Sequence, residues 1–134
     1  MTDFRAVTED FAVSPQITPA DVRVAADQGF TLIINNRPDG EAPDQPSGES
    51  IRRAAERLGL AYAYVPVTGR PTAEQSAAVR EAVEAASGKA LAFCRSGTRS
   101  ITAWALGQRD AGTRGREELI SLCRSAGYEI GAAV

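Results

Sequence analysis

The sequence predicts a single α/β domain, a three-layer sandwich in which a parallel sheet carries helices on both faces. Three observations lead there. Segments of strand and helix character alternate along the chain, the order that builds parallel sheets through crossover helices. Two short runs, Phe30-Thr31-Leu32-Ile33-Ile34 and Ala90-Leu91-Ala92-Phe93, are almost wholly apolar, as strands buried on both faces are. The chain has 134 residues, which suits one domain of roughly 100–150 residues and leaves no room for a second.

The elements follow in order. Residues 4–7 and 11–13 are short β-type runs parted by Thr8-Glu9-Asp10, a hairpin or two edge strands. Thr18-Pro19-Ala20-Asp21 opens a helix with a hydroxyl cap, proline in the first turn and an early acid. Gly29 is its expected stop, and the buried strand at 30–34 begins at once. A long polar loop from Asn35 to Gly48 comes next. It leaves the carboxyl end of a buried strand, where open α/β sheets bind ligands.

The alternation then repeats. A helix is expected over 50–58, with Ile51, Ala54, Ala55 and Leu58 at helical spacing and Gly59 as its stop. A strand is expected over 60–67. Thr72-Ala73-Glu74-Gln75 is a capping box opening a helix to about Ser87, with Gly88 ending it. After the strand at 90–93, residues 95–100 form a turn, and Ile101, Trp104, Ala105 and Gln108 recur at helical spacing. A last helix covers about 116–126. No internal repeat or linker interrupts the pattern.

Composition excludes much of enzymology. There is no histidine and there are two cysteines, Cys94 and Cys123. A Ser-His-Asp or Cys-His triad and a His-ligated zinc site are therefore out of reach, and so are a zinc cage and a disulfide framework. No metal or cofactor is implied. Fifteen Lys+Arg against 17 Asp+Glu leave a net charge of −2, which argues against a nucleic-acid partner. The first twenty residues carry Asp3, Arg5, Glu9 and Asp10 without an apolar core, so no signal peptide is expected. No run approaches the ~18 apolar residues of a membrane span. The expectation is a cytoplasmic protein.

The chemistry is expected at Cys94-Arg95-Ser96-Gly97-Thr98-Arg99-Ser100, between a buried strand and a helix start. A thiol there meets converging backbone N–H groups and the positive end of a helix, which with Arg99 favour the thiolate. Gly97 permits tight curvature, while Ser96 and Thr98 keep the cradle open. Arg99 can fork two hydrogen bonds onto an oxyanion. Arg95 would attract an anion from the rim, and Ser100 would hydrogen-bond the Cys94 sulfur or cap the helix. Upstream, Arg37, Asp39 and Glu41 lie at a strand's carboxyl end, either touching substrate or pairing to fix the loop. Cys123, near Leu119, Ile120 and Leu122, reads as core.

This loop, with Asn35-Asn36-Arg37-Pro38-Asp39-Gly40-Glu41 and Gln45-Pro46 upstream, resembles the beta-lactamase hydrolase-like, phosphatase-like domain family over nearly the whole chain. The resemblance implies a fold like the dual-specificity protein tyrosine phosphatases. Members carry the labels phosphatase or sulfur transferase, and some are fused to a persulfide dioxygenase-like domain, which is not expected within these residues. Tyrosine phosphatases carry Cys-x5-Arg, usually after a histidine. Here Phe93 precedes Cys94 and the arginine comes one position sooner, as in the Cys-Arg-x-Gly-x-Arg/Thr loop of rhodanese-type sulfurtransferases.

A missing acid points the same way. Phosphatases of this fold usually take an aspartate from the loop after the preceding strand, whereas Val67-Thr68-Gly69-Arg70-Pro71-Thr72 has no carboxylate. Expelling sulfite or a thiolate needs no proton donor. The preferred expectation is therefore sulfur transfer through a Cys94 persulfide, from a small anionic sulfur donor to an acceptor thiol or a persulfide-handling partner enzyme. The alternative is hydrolysis of a phosphorylated substrate through a phosphocysteine, with Asp39 or Glu41 as acid. A non-catalytic anion-binding domain is the third reading.

Overall fold

The computed structural model describes residues 2–134. The elements are β1 (Arg5–Ala6), β2 (Phe11–Ser14), α1 (Pro19–Asp27), β3 (Phe30–Asn35), α2 (Gly48–Arg57), β4 (Ala61–Tyr64), α3 (Ala73–Ala85), β5 (Lys89–Phe93), α4 (Thr98–Ala111) and α5 (Arg116–Ser125). One sheet runs in the order β1-β2-β5-β3-β4, antiparallel only between β1 and β2. The predicted mixed α/β sandwich with a parallel-dominated sheet is what forms.

Side-chain alternation along the central strands divides the core in two. Leu32 and Ile34 of β3, with Ala90 and Ala92 of β5, join Val79, Ile101, Trp104, Leu119 and Cys123 under α3, α4 and α5. Ile33, Leu91 and Phe93 point the other way, onto Val22 and Ala25 of α1 and Ile51, Ala54 and Ala55 of α2. Helix α4 is buried at every position from Ser100 to Gly107. A helix enclosed on all sides is the least free to shift, which suits the one that starts at the cysteine loop.

Several boundaries differ from expectation, each for a local reason. The hairpin forms, but β2 is an interior strand: it pairs with β1 on one side and β5 on the other. Helix α2 starts two residues early because Ser47 supplies the cap, accepting from the Ser50 N–H. Strand β4 stops at Tyr64, since Pro66 has no N–H to continue a ladder. The flanking Val65 and Val67 N–H groups still reach the Asn35 and Asn36 carbonyls at 2.9 Å each. Helix α3 ends at Ala85, and Gly88 is not left-handed. That glycine meets close packing instead, because a Cβ there would sit 2.9 Å from Thr31 Cγ2.

Candidate active site

Cys94 follows the last residue of β5, between β2 and β3 in the sheet. It is 1% exposed, and its Sγ accepts a hydrogen bond from the Gly97 N–H at 3.1 Å. Gly97 makes that turn with φ of +94°, a left-handed conformation that costs other residues about 1–2 kcal/mol. Helix α4 starts there with no side-chain cap. By contrast α1, α2 and α3 are capped by Thr18, Ser47 and Thr72. An uncapped start leaves amide donors and the positive end of the helix dipole facing the loop.

Arg99, in the first turn of α4, is anchored on its outer side. Its Nη1 and Nη2 donate to Glu41 Oε2 and Oε1 at 2.7 and 2.9 Å, and Nη1 also donates to the Val67 carbonyl at 2.7 Å. Arg37, 5% exposed, donates from Nε to the same Glu41 Oε1 at 2.9 Å and from Nη1 to Gln16 Oε1 at 3.1 Å. The hydrogen bond from Arg99, aided by that from Arg37, pulls the Glu41 carboxyl down to about 2. Arg99 is raised in turn, chiefly by its bond to Glu41, with the Cys94 sulfur a further electrostatic neighbour.

The expected site residues divide. Cys94, Gly97 and Arg99, from the end of β5 and the start of α4, are linked with Arg37 and Glu41 from the loop after β3. Arg95 and Ser96 are exposed on the loop and Thr98 at the first position of α4, with Ser96 and Thr98 joined through their hydroxyls at 3.1 Å. Ser100 is a correction: its buried Oγ has no hydrogen-bond partner, so it neither bonds the sulfur nor caps the helix. Asp39 is turned to α2, accepting from the Gly48 N–H at 2.7 Å. Asn36, fully buried, braces the strands by donating from Nδ2 to the Val65 carbonyl at 2.9 Å.

Three contributors were missed from sequence: Gln16, the Val67 carbonyl, and Tyr128, whose hydroxyl donates to the Ser96 carbonyl at 2.8 Å. Their only signal was position at the end of an element. Cys123 is the core residue expected, and burial pushes its thiol up to about 12. No cluster of potential metal ligands occurs among the described residues. A cleft of about 220 Å³ opens beside Arg99, walled by Gly69, Pro71, Thr98, Thr102 and Ala133. A larger hollow of about 380 Å³ sits at the amino ends of β2 and β5, by Phe11 and Trp104.

A parallel-dominated sheet with a cysteine loop between its central strand and a buried helix defines the class: a phosphatase-like α/β domain. The chain belongs to the phosphatase-like domain family of beta-lactamase hydrolase-like proteins, whose sequence model matches residues 3–111. It is 37% identical over 129 residues to the beta-lactamase hydrolase-like protein of Xylella fastidiosa, covering 96% of this chain but 30% of that one. The chain thus spans about 30% of the length of that curated relative. A candidate phosphatase from Neisseria meningitidis superposes with a TM-score of 0.86 at 30% identity, covering 98% of this chain and 94% of its own. The kinase associated phosphatase shares the fold at a TM-score of 0.70 and 14% identity, covering 100% of this chain and 85% of its own.

Proposed function

We propose that the chain is a cysteine-dependent phosphatase that hydrolyses phosphomonoesters through Cys94. The observation that carries the reading is the Cys94 sulfur held 3.1 Å from a loop amide at the uncapped start of α4. Its family and its Neisseria meningitidis neighbour support it. In the first step the Cys94 thiolate attacks phosphorus, so that a S–P bond forms and the ester P–O bond breaks. Loop amides and Arg99 hold the phosphoryl oxygens. Water then attacks phosphorus, breaking the S–P bond, releasing phosphate and restoring the thiolate.

The carboxylates narrow the substrate. A placed acid is worth roughly 10²–10⁴ in rate when a poor leaving group departs. Glu41, held near 2 by its arginines, is ionised at neutral pH, and Asp39 is committed to α2. The substrates favoured are esters whose leaving group departs without a proton, such as aryl phosphates. The cleft beside Arg99 would take the aryl group.

The same lack of a free acid favours a second reading, sulfur transfer. The Cys94 thiolate attacks the outer sulfur of thiosulfate, forming a S–S bond and expelling sulfite. An acceptor thiolate then takes that sulfur and restores Cys94. Neither step needs a proton donor.

One comparison separates the readings: an aryl phosphate, and in parallel thiosulfate with cyanide, tested on the wild type and on Cys94→Ser. Phosphate release that disappears in the variant is the expected result, a loss of at least about 10³-fold for a missing nucleophile. Thiocyanate formation without phosphate release replaces the first reading by the second. Neither activity in the wild type leaves an anion-binding domain.

A further inference from the structure

The peptide unit joining Ser96 to Gly97 is held at both ends. Its N–H donates to Cys94 Sγ at 3.1 Å, and its carbonyl accepts from the Tyr128 hydroxyl at 2.8 Å. In a trans peptide the carbonyl and N–H point in opposite directions. Whatever fixes the carbonyl therefore aims the N–H. Gly97 cannot supply that control itself, since glycine moves readily between backbone regions. Without an anchor, the 96–97 peptide could rotate and turn its amide away from the sulfur.

Tyr128 is built to be that anchor. Helix α5 ends in a Schellman motif, with Gly127 left-handed at φ of +96°. The Tyr128 N–H bonds the Cys123 carbonyl, and the Gly127 N–H bonds that of Arg124, at 2.9 Å each. Leu119 and Cys123 fix α5 in the core, so the position of the tyrosine is inherited from buried packing. The ring is 8% exposed and lies against Gly97, where an added Cβ would overlap its hydroxyl. Arg5 covers the ring at 5.2 Å from its centroid.

We propose that Tyr128 is a positioning residue for the nucleophile: by holding the Ser96 carbonyl, it keeps the Gly97 amide aimed at the Cys94 sulfur. The bond also polarises that peptide, which makes its N–H a better donor to a thiolate. Arg99 on α4 and Tyr128 after α5 both have the sulfur as an electrostatic neighbour, with Glu41 behind Arg99 and Arg5 and Asp3 behind Tyr128. The inference rests on Cys94 reacting as a thiolate, which both proposed reactions require.

Tyr128→Phe removes the hydroxyl and keeps the ring, the Schellman motif and the contact with Gly97. The test is iodoacetamide labelling of Cys94, followed by peptide mapping, at pH 7 and pH 10. A hydrogen bond to a charged group is worth about 1.5–3 kcal/mol, so losing its aim should slow labelling at pH 7 by about 10-fold or more. At pH 10 the rate should match the wild type, and the Tm should stay within a few degrees. Wild-type labelling at pH 7 in the variant overturns the proposal. So does an equal slowing at both pH values with a fallen Tm, which would mark a structural role. A wild-type Cys94 whose native labelling rises with pH only through the ordinary thiol range, about 8.5, instead removes the thiolate reading itself.

Discussion

Glu41 holds two guanidinium groups at once, and that double attachment gives it a measurable signature. Its carboxyl lies at about 2 in the folded chain, against an ordinary 4.5, because Arg99 and then Arg37 bond its ionised form. On acidification the unfolded chain takes up this proton first. The stabilisation is therefore complete above about pH 4.5 and is lost as pH falls toward 2. Glu41→Gln should be less stable than the wild type at pH 7, with the gap closing between pH 4.5 and 2.5 in urea titrations. Glu49 is depressed into the same window by Arg52 and Arg53 but is present in both proteins, so the difference isolates Glu41. A gap that stays constant down to pH 2.5 would count against the pairing. The Arg37–Glu41 half of this network was legible from sequence, being four residues apart in one polar loop. The Arg99–Glu41 half, 58 residues apart, depends on β5 lying beside β3, which no local pattern encodes.

Helix α4 aims the cysteine loop, and its contact with α3 is set by one small residue. A Cβ on Gly107 would lie 2.7 Å from the Ser76 carbonyl oxygen, a backbone atom that cannot swing aside. Replacing glycine by alanine inside a helix normally gains about 1 kcal/mol, whereas overpacking costs about 1–3 kcal/mol. With backbone as the obstacle, the cost should win. Gly107→Ala should lower the Tm by several degrees in thermal unfolding, and a higher Tm would contradict the close approach. The elements were mostly readable because their caps are chemical: the Thr18 hydroxyl cap and the Thr72 capping box both form, and Asp21 completes a box at Thr18 as well. Gly107 and Gly88 were not readable as contact points, because a sequence shows a missing side chain but not what approaches it. The interior place of β2 was hidden for a related reason. Four short residues read the same at an edge or at the centre until β5 arrives from 75 positions or more away.

Over the whole molecule, the sheet sorts the two cysteines into opposite environments. Cys94 leaves the carboxyl end of a central strand, where the ends of β2 and β3 also deliver Gln16, Arg37 and Glu41 to the loop region. In parallel sheets every strand contributes its carboxyl end to the same edge, so residues distant in sequence converge there. Cys123 lies inside the layer beneath α5, with no charged partner in its cluster and burial holding its thiol at about 12. Both are free thiols and both are shielded, so exposure alone does not distinguish them. Reactivity should, because a thiolate is the nucleophile and only Cys94 has an amide and an arginine to favour one. Native protein treated with iodoacetamide at pH 8 should gain one tag, on Cys94, and in urea both cysteines should be tagged. Native labelling of Cys123 at a comparable rate, or a Cys94–Cys123 disulfide after mild oxidation, would contradict this division. The chain has no histidine with which to activate a thiol. The fold instead brings amide, helix end and arginine to one cysteine and leaves the other in hydrocarbon.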